Sequence, residues 1–167
     1  MITDLVQINR LGERKRDENG RFRVFMKTHN YPERRFRRMA EEIQDQIDCT
    51  QCANCCKVAT VPLKHRDMEK LARYLRIPLA QFIEEYTTRN ESKDLILKRT
   101  DAGCVFLDGN LCSIYEARPS NCVNFPHLVR GDGPISTRMW QFVDRACYCP
   151  IVYNALEAFK GEVGFRR

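Results

Sequence analysis

The eight residues from Cys49 to Cys56, CTQCANCC, carry four thiols. Cys49 to Cys52 is a Cys-x-x-Cys step, and Cys52 to Cys55 repeats it. That spacing lets sulfurs from one turn of chain converge on a single ion. Three cysteines so spaced can hold three corners of a cluster, with a distant fourth completing it. Far along the chain, Cys149 is followed by Pro150, the Cys-Pro element that accompanies such runs in bacterial ferredoxins. Cys56 directly follows Cys55, and neighbours in an extended chain point to opposite sides. The spacing therefore predicts that Cys56 faces a second centre, or that one bridged binuclear centre is present. Cys104, Cys112 and Cys122 supply further thiols for it. The candidate ligands are Cys49, Cys52, Cys55, Cys56, Cys104, Cys112, Cys122 and Cys149, two sets of four. Cys147 is the spare, as readily a small buried hydrophobe as a ligand. Among the histidines His29, His65 and His127, His127 is the best placed to replace a cysteine, five residues beyond Cys122, whereas His65 has no neighbouring ligand.

Metal is the reading that fits the setting. Nine cysteines cannot all pair within one chain. No apolar run approaches the roughly 18 residues of a membrane helix. Charges begin at Asp4 and crowd from Arg10 onward, unlike a secretory leader, and acids interrupt the basic residues, unlike a mitochondrial one. The expectation is a cytoplasmic protein with no membrane segment, where thiols stay reduced and close cysteine pairs mark metal rather than disulfides. All-thiolate sites suit zinc and iron–sulfur clusters alike. Structural zinc usually takes two separated knuckles, and only the first half of the chain has one. The triple step with a remote Cys-Pro is closer to cluster ligation, so the cofactor expected is an iron–sulfur cluster or iron, with zinc the alternative.

The elements that must position these thiols read as a helix-rich α+β small domain with a β-hairpin, organised around cysteine-ligated metal. Phe36, Met39, Ala40, Ile43 and Ile47 recur at helical spacing after Pro32, predicting a helix over 32–47 that delivers the chain to Cys49. The stretch before it, from Arg16, reads as a loop. Leu63, Met68, Leu71, Ala72 and Leu75 share a helical face, and Pro78 stops that helix and starts a short second one. DLILKRT reads as a strand. CVFLDGNLCSIY reads as a hairpin about DGN, with Cys104 and Cys112 at its open end. EARPSNCVNFPHL is a turn or short helix, and STRMWQFVDRACYC has mixed periodicity that assigns no element. PIVYNALEAFKGEV is a helix with Pro150 in its first turn and Gly161 as its stop. Three segments result: a basic N-terminal extension with a helix over 1–48, the cysteine domain over 49–150, and a C-terminal helix over 151–167 packed on it.

CxxCxxCC, the segment CVFL…GNLCSIYEARPSNCVNFP and the late Cys-Pro occur in order, and together they resemble the YkgJ-type cysteine cluster family, known as a zinc- or iron-chelating domain. The resemblance runs from Cys49 to Pro150 and implies metal chelation by the cysteines named above. It implies no settled reaction, although some relatives of the domain belong to protein-modifying enzymes. Val123 stands where the family commonly has arginine after the third late cysteine. Four thiolates around a divalent ion leave a net charge of about −2, so cations are expected nearby. Arg118 is a candidate, the other reading being an ion pair with Glu116.

The leading function is therefore a metal-binding protein with a redox, metal-handling or structural role. The chain has no phosphate-binding glycine loop, nucleophile elbow, HExxH or dinucleotide fingerprint. An iron–sulfur-dependent protein-modifying enzyme is one alternative. Binding of a protein partner or nucleic acid through the basic N-terminal segment is another. All eleven Lys and Arg of residues 1–48 fall between Arg10 and Arg38, with only four acids among them. RFRVF and ERRFRRM interleave base and aromatic, as phosphate contact and stacking require. An amphipathic helix with Phe36 inward and its arginines solvated explains the same pattern, and is favoured.

Overall fold

The computed structural model describes residues 1–29 and 31–165. In chain order the helices α1 (Leu5–Arg14), α2 (Arg16–His29), α3 (Glu33–Gln44), α4 (Cys49–Cys52), α5 (Asn54–Val58), α6 (His65–Leu75) and α7 (Leu79–Tyr86) come first. Strands β1 (Thr87–Arg89), β2 (Leu95–Leu97), β3 (Arg99–Thr100), β4 (Gly103–Cys104), β5 (Leu107–Asp108) and β6 (Leu111–Cys112) follow. A 3-10 turn (Tyr115–Ala117) and helices α8 (Ser120–Asn124), α9 (Ile135–Arg145) and α10 (Pro150–Glu162) complete the chain. The fold is helix-rich α+β, and among the described residues its strands form two-stranded antiparallel pairs, β1–β2, β3–β4 and β5–β6, with Pro62 bridging Ile96 beside the first.

The predicted helix over 32–47 is α3, with Pro32 as its extended N-cap. The loop expected from Arg16 is instead α2, up to His29; Asn30 lies outside the described residues. Its buried residues Asn19, Phe22 and Met26 recur three and four apart, a stripe too narrow to stand out among the charges around it. Packing rather than local propensity decides that segment. Asp4 opens α1 by accepting a hydrogen bond from the Gln7 amide at 2.8 Å. The stretch of mixed periodicity is α9, whose buried Ile135, Arg138, Met139 and Phe142 follow the same rule. Gly161 does not stop α10 but lies within it; the helix ends at Glu162 with Val163 as its cap.

The chain divides into two compact units, Met1–Asp48 with Pro126–Arg167, and Cys49–Phe125. The first is all helical. Its core is aromatic: the Phe36 ring stacks on Phe142 at 6.3 Å and meets Phe159 edge-on at 4.9 Å, joining α3, α9 and α10. Phe22 of α2 meets Phe159 edge-on from another side. A buried cation sits in this core. Lys160 bonds Glu18 and Glu157, each at 2.7 Å, and Lys15 also pairs with Glu157. Two cations thus share two carboxylates, which removes the cost of an unmatched buried charge.

The second unit has a smaller core in which Met68, Leu71 and Ala72 of α6 pack with Phe82, Leu97, Phe106 and Ile114. Phe82, Tyr86 and Phe106 stack in succession at 5.6 and 5.0 Å. α6 and α7 therefore form a platform, and the short strand pairs that carry Cys104 and Cys112 lie on it through Phe106 and Ile114.

Two glycines test the helical packing. A Cβ on Gly12 would sit 2.5 Å from the Ala146 carbonyl oxygen and from the Cys147 Cα, whereas one on Gly20 meets nothing within 4 Å. Gly12→Ala should destabilise the protein by about 1–3 kcal/mol. Gly20→Ala should stabilise it by about 0.5–1 kcal/mol, because helical glycine carries only its entropic cost there. Chemical denaturation of the two variants checks the opposite signs.

Candidate metal centre

The CTQCANCC segment forms two helical turns, α4 and α5, with Ala53 left-handed between them (φ 48°). The Ala53 amide donates to the Cys49 carbonyl at 2.9 Å, and the Ala53 carbonyl accepts from the Cys56 amide at 3.0 Å. This geometry corrects the expectation that Cys55 and Cys56 diverge. Both lie on α5, and their sulfurs are 3.9 Å apart. The alternation of an extended strand does not apply inside a helical turn.

The hairpin about DGN is present as β5–β6, but only Cys112 of the two cysteines lies on it. Cys104 pairs with Arg99 across β3–β4, and Cys112 pairs with Leu107 across β5–β6. The two cysteines therefore belong to successive strand pairs rather than to the two ends of one. A cysteine at the end of each short pair still brings Cys104 and Cys112 into electrostatic reach of Cys56. Cys122, on α8, lies within reach of all three. Four thiols from four elements, α5, β4, β6 and α8, thus lie within electrostatic reach of one another.

Their environment is cationic. Arg118, Arg99 and Lys57 all act on Cys56. Each is fixed by neighbours. Arg99 donates to the Ala59 carbonyl at 2.6 Å and also to the Lys57 carbonyl. Lys57 donates to Asn110 at 2.7 Å, and Asn110 donates to the Gln51 carbonyl at 3.0 Å, tying the β5–β6 turn to both cysteine helices. Arg118 lies 3.5 Å over the Tyr115 ring and donates to the Tyr115 carbonyl at 2.9 Å. No ion pair joins it to Glu116 among the described residues.

These surroundings set the thiols apart. The Cys55 hydrogen bond, followed by Arg118, Arg99 and Lys57, lowers Cys56 to about 7. Burial pushes Cys122 up to about 12, with the other three thiols adding to the rise and Arg118 opposing it. Burial raises Cys104 and Cys112 in the same direction. Among the described residues no three His, Cys, Asp or Glu side chains already form a group close enough to hold an ion. The donor set nevertheless fits a soft metal: four thiols, no hard oxygen ligand among them, and three fixed cations to offset the charge of their ionised forms.

Asp67 is the positioning residue that sequence reasoning passed over. It is buried at the start of α6, and its carboxylate accepts from the Ser120 amide and the Ser120 hydroxyl, both at 2.9 Å. Those bonds anchor the first residue of α8, two residues before Cys122. Lys70 of α6 adds a bond to the Arg118 carbonyl at 3.1 Å. In the sequence Asp67 shows only as an acid in the first turn of a helix.

The remaining candidates are placed as follows. Cys49 and Cys52 bound α4, Cys49 exposed and Cys52 half-buried. Cys149 is buried in the helical unit as the N-cap of α10, with Pro150 in the first turn. Cys147, also in that unit, accepts from Arg16 at 3.3 Å, and burial pushes it up to about 12. His127 belongs to the helical unit, where its carbonyl accepts from Arg138. His65 is exposed, with its ring 3.4 Å from Glu69.

Residues 48–150 match the CxxCxxCC family, described as “Putative zinc- or iron-chelating domain”. The chain belongs to this family. The match covers more than half of the sequence and includes every candidate ligand. A protein of Methanocaldococcus jannaschii titled “Uncharacterized protein MJ0661” is 34% identical over 84 residues, which is 49% of this chain and 45% of that relative. This chain therefore matches less than half of the relative's length. No solved structure matches the chain. No helix among the described residues is long and apolar enough to cross a membrane.

The unequal thiols give an ordered reactivity. In metal-free protein at pH 7, iodoacetamide should alkylate Cys56 far faster than Cys122 or Cys147, since only a thiolate reacts. Mass spectrometry of timed digests checks the order. Asp67→Ala removes both bonds to Ser120 and should cost about 1–3 kcal/mol, with Asp67→Asn retaining part of it, as thermal unfolding would show.

Proposed function

We propose that this chain is a metalloprotein whose cysteines hold iron, as an iron–sulfur cluster or as iron, with zinc as the alternative occupant. The observation that carries this reading is that Cys56, Cys104, Cys112 and Cys122, from four elements, lie within electrostatic reach of one another beside three cations. Cys49, Cys52 and Cys55 supply further thiols on α4 and α5, and the 3.9 Å between the Cys55 and Cys56 sulfurs favours one bridged binuclear centre over two separate ones. Cys149 is a further candidate ligand on the strength of its Cys-Pro sequence.

Bound iron–sulfur would supply one-electron chemistry, and bound zinc a structural tie. The chain's own contribution is the same in both cases. Arg99 and Arg118 stabilise thiolate charge, and the α6–α7 platform holds the strand pairs in place. Cys104, Cys112 and Cys122 hold their protons at neutral pH and must release them to bind, so affinity depends on pH. Raising the pH between 6 and 8 should tighten metal binding, by up to about tenfold per pH unit for each proton released.

The deciding experiment is anaerobic purification followed by metal content, acid-labile sulfide and the visible spectrum of one sample. Iron with stoichiometric sulfide and a brown chromophore is expected. Zinc without colour or sulfide would establish the structural alternative, and folded protein with no metal would overturn the reading. Serine at Cys56, Cys104, Cys112 or Cys122 should lower metal content, whereas Cys147→Ser should leave it unchanged.

A further inference from the structure

Helix α6 buries one face, Asp67, Met68, Leu71 and Ala72, in the core of the second unit. Its opposite face is cationic. Arg66, Lys70 and Arg73 are all exposed and stand four and three residues apart, so they form one stripe along the helix. Among the described residues no ion pair joins any of the three to an acid. Glu69 lies 3.4 Å from the His65 ring, and Asp67 is committed to Ser120. On α3, by contrast, Arg35 pairs with Glu162 and Arg38 with Glu42. The cationic surface continues beyond α6. Lys70 donates to the Arg118 carbonyl at 3.1 Å, which brings the 3-10 turn alongside, and Arg118 lies over the Tyr115 ring. Two rings are exposed here, Tyr74 by 48% one helical turn after Lys70, and Tyr115 by 45%. Glu116 is the acid that the turn exposes.

Unpaired cations beside exposed ring faces restrict the partner. An acidic protein surface would answer the cations, but its carboxylates offer no flat face to the tyrosines. Duplex nucleic acid keeps its base faces stacked inside. A single strand supplies a phosphate and a free base face in every unit. We propose that this surface of the second unit binds single-stranded nucleic acid, its phosphates along Arg66, Lys70 and Arg73 and its bases on Tyr74 and Tyr115. The stripe is about 10 Å long, so the footprint is short, on the order of four nucleotides. No cysteine takes part, and the inference stands apart from the metal reading.

The test is fluorescence anisotropy of the full chain with a short labelled oligouridine, the matching oligothymidine and a duplex of the same length. Both single strands should bind, and the duplex at least about tenfold more weakly. The tighter of the two strands identifies the source as RNA or DNA. Three phosphate contacts give a slope of log K against log salt of about −2. Arg66→Ala and Arg73→Ala should each make that slope shallower by about 0.7. Tyr74→Ala should weaken binding about fivefold or more with the slope unchanged, and Tyr74→Phe should bind as the wild type does. No binding of either strand would overturn the proposal, as would equal binding of the duplex. Displacement by polyglutamate at equal charge would assign the surface to an acidic protein instead. Binding unchanged in all three alanine variants would place the strand on other helices and equally overturn it.

Discussion

Ionised sulfurs repel one another, and a site with four thiols in electrostatic reach must either keep them protonated or offset their charge. The second unit offsets it with cationic side chains held by hydrogen bonds. Arg99 is tied to two backbone carbonyls, Lys57 to Asn110, and Arg118 to the face and carbonyl of Tyr115. Burial works in the other direction by keeping Cys104, Cys112 and Cys122 protonated. Of these four, Cys56, on which the cations and the Cys55 sulfur act, has its thiolate favoured. The metal-free protein thus stores the site largely as neutral thiols, which avoids the repulsion until an ion can offset it.

This constraint explains the architecture around the site. Two-residue strands and five-residue helices have too few internal bonds to persist alone. They hold together because α6 and α7 offer an apolar platform and because single polar ties fix their ends. Asp67 anchors α8, and Asn110 joins the β5–β6 turn to α4 and α5. A metal joining several of these pieces would add stability where the apolar core is thinnest.

The helical unit is held together differently. Its stacked phenylalanines give a continuous core, and its buried charges are matched among Lys15, Lys160, Glu18 and Glu157. The arginine-rich face of α3 is solvated or paired at the surface, with Arg35 on Glu162 at 2.7 Å, while Phe36 is 1% exposed. The basic-aromatic pattern in that helix is therefore that of an amphipathic helix.

The chemistry is legible in the order of residues alone. Thiol count, Cys-x-x-Cys steps and the succession of later cysteines point to soft metal, because few other uses exist for such spacing. Also legible are the helices whose apolar period is wide or whose start is marked by proline, α3, α6, α7 and α10. The rest depends on contacts between distant segments. α2 is helical because Phe22 and Met26 find a core, not because its charged sequence demands a helix. Cys55 and Cys56 face the same region because Ala53 adopts a left-handed turn that starts α5, which no spacing rule reveals. Cys104 and Cys112 fall on separate strand pairs because pairing register is set by the turns and by packing on α6 and α7. The grouping of Cys56 with Cys104, Cys112 and Cys122 exists only in the folded chain, since it rests on bonds such as Asp67 to Ser120 between residues far apart in the sequence.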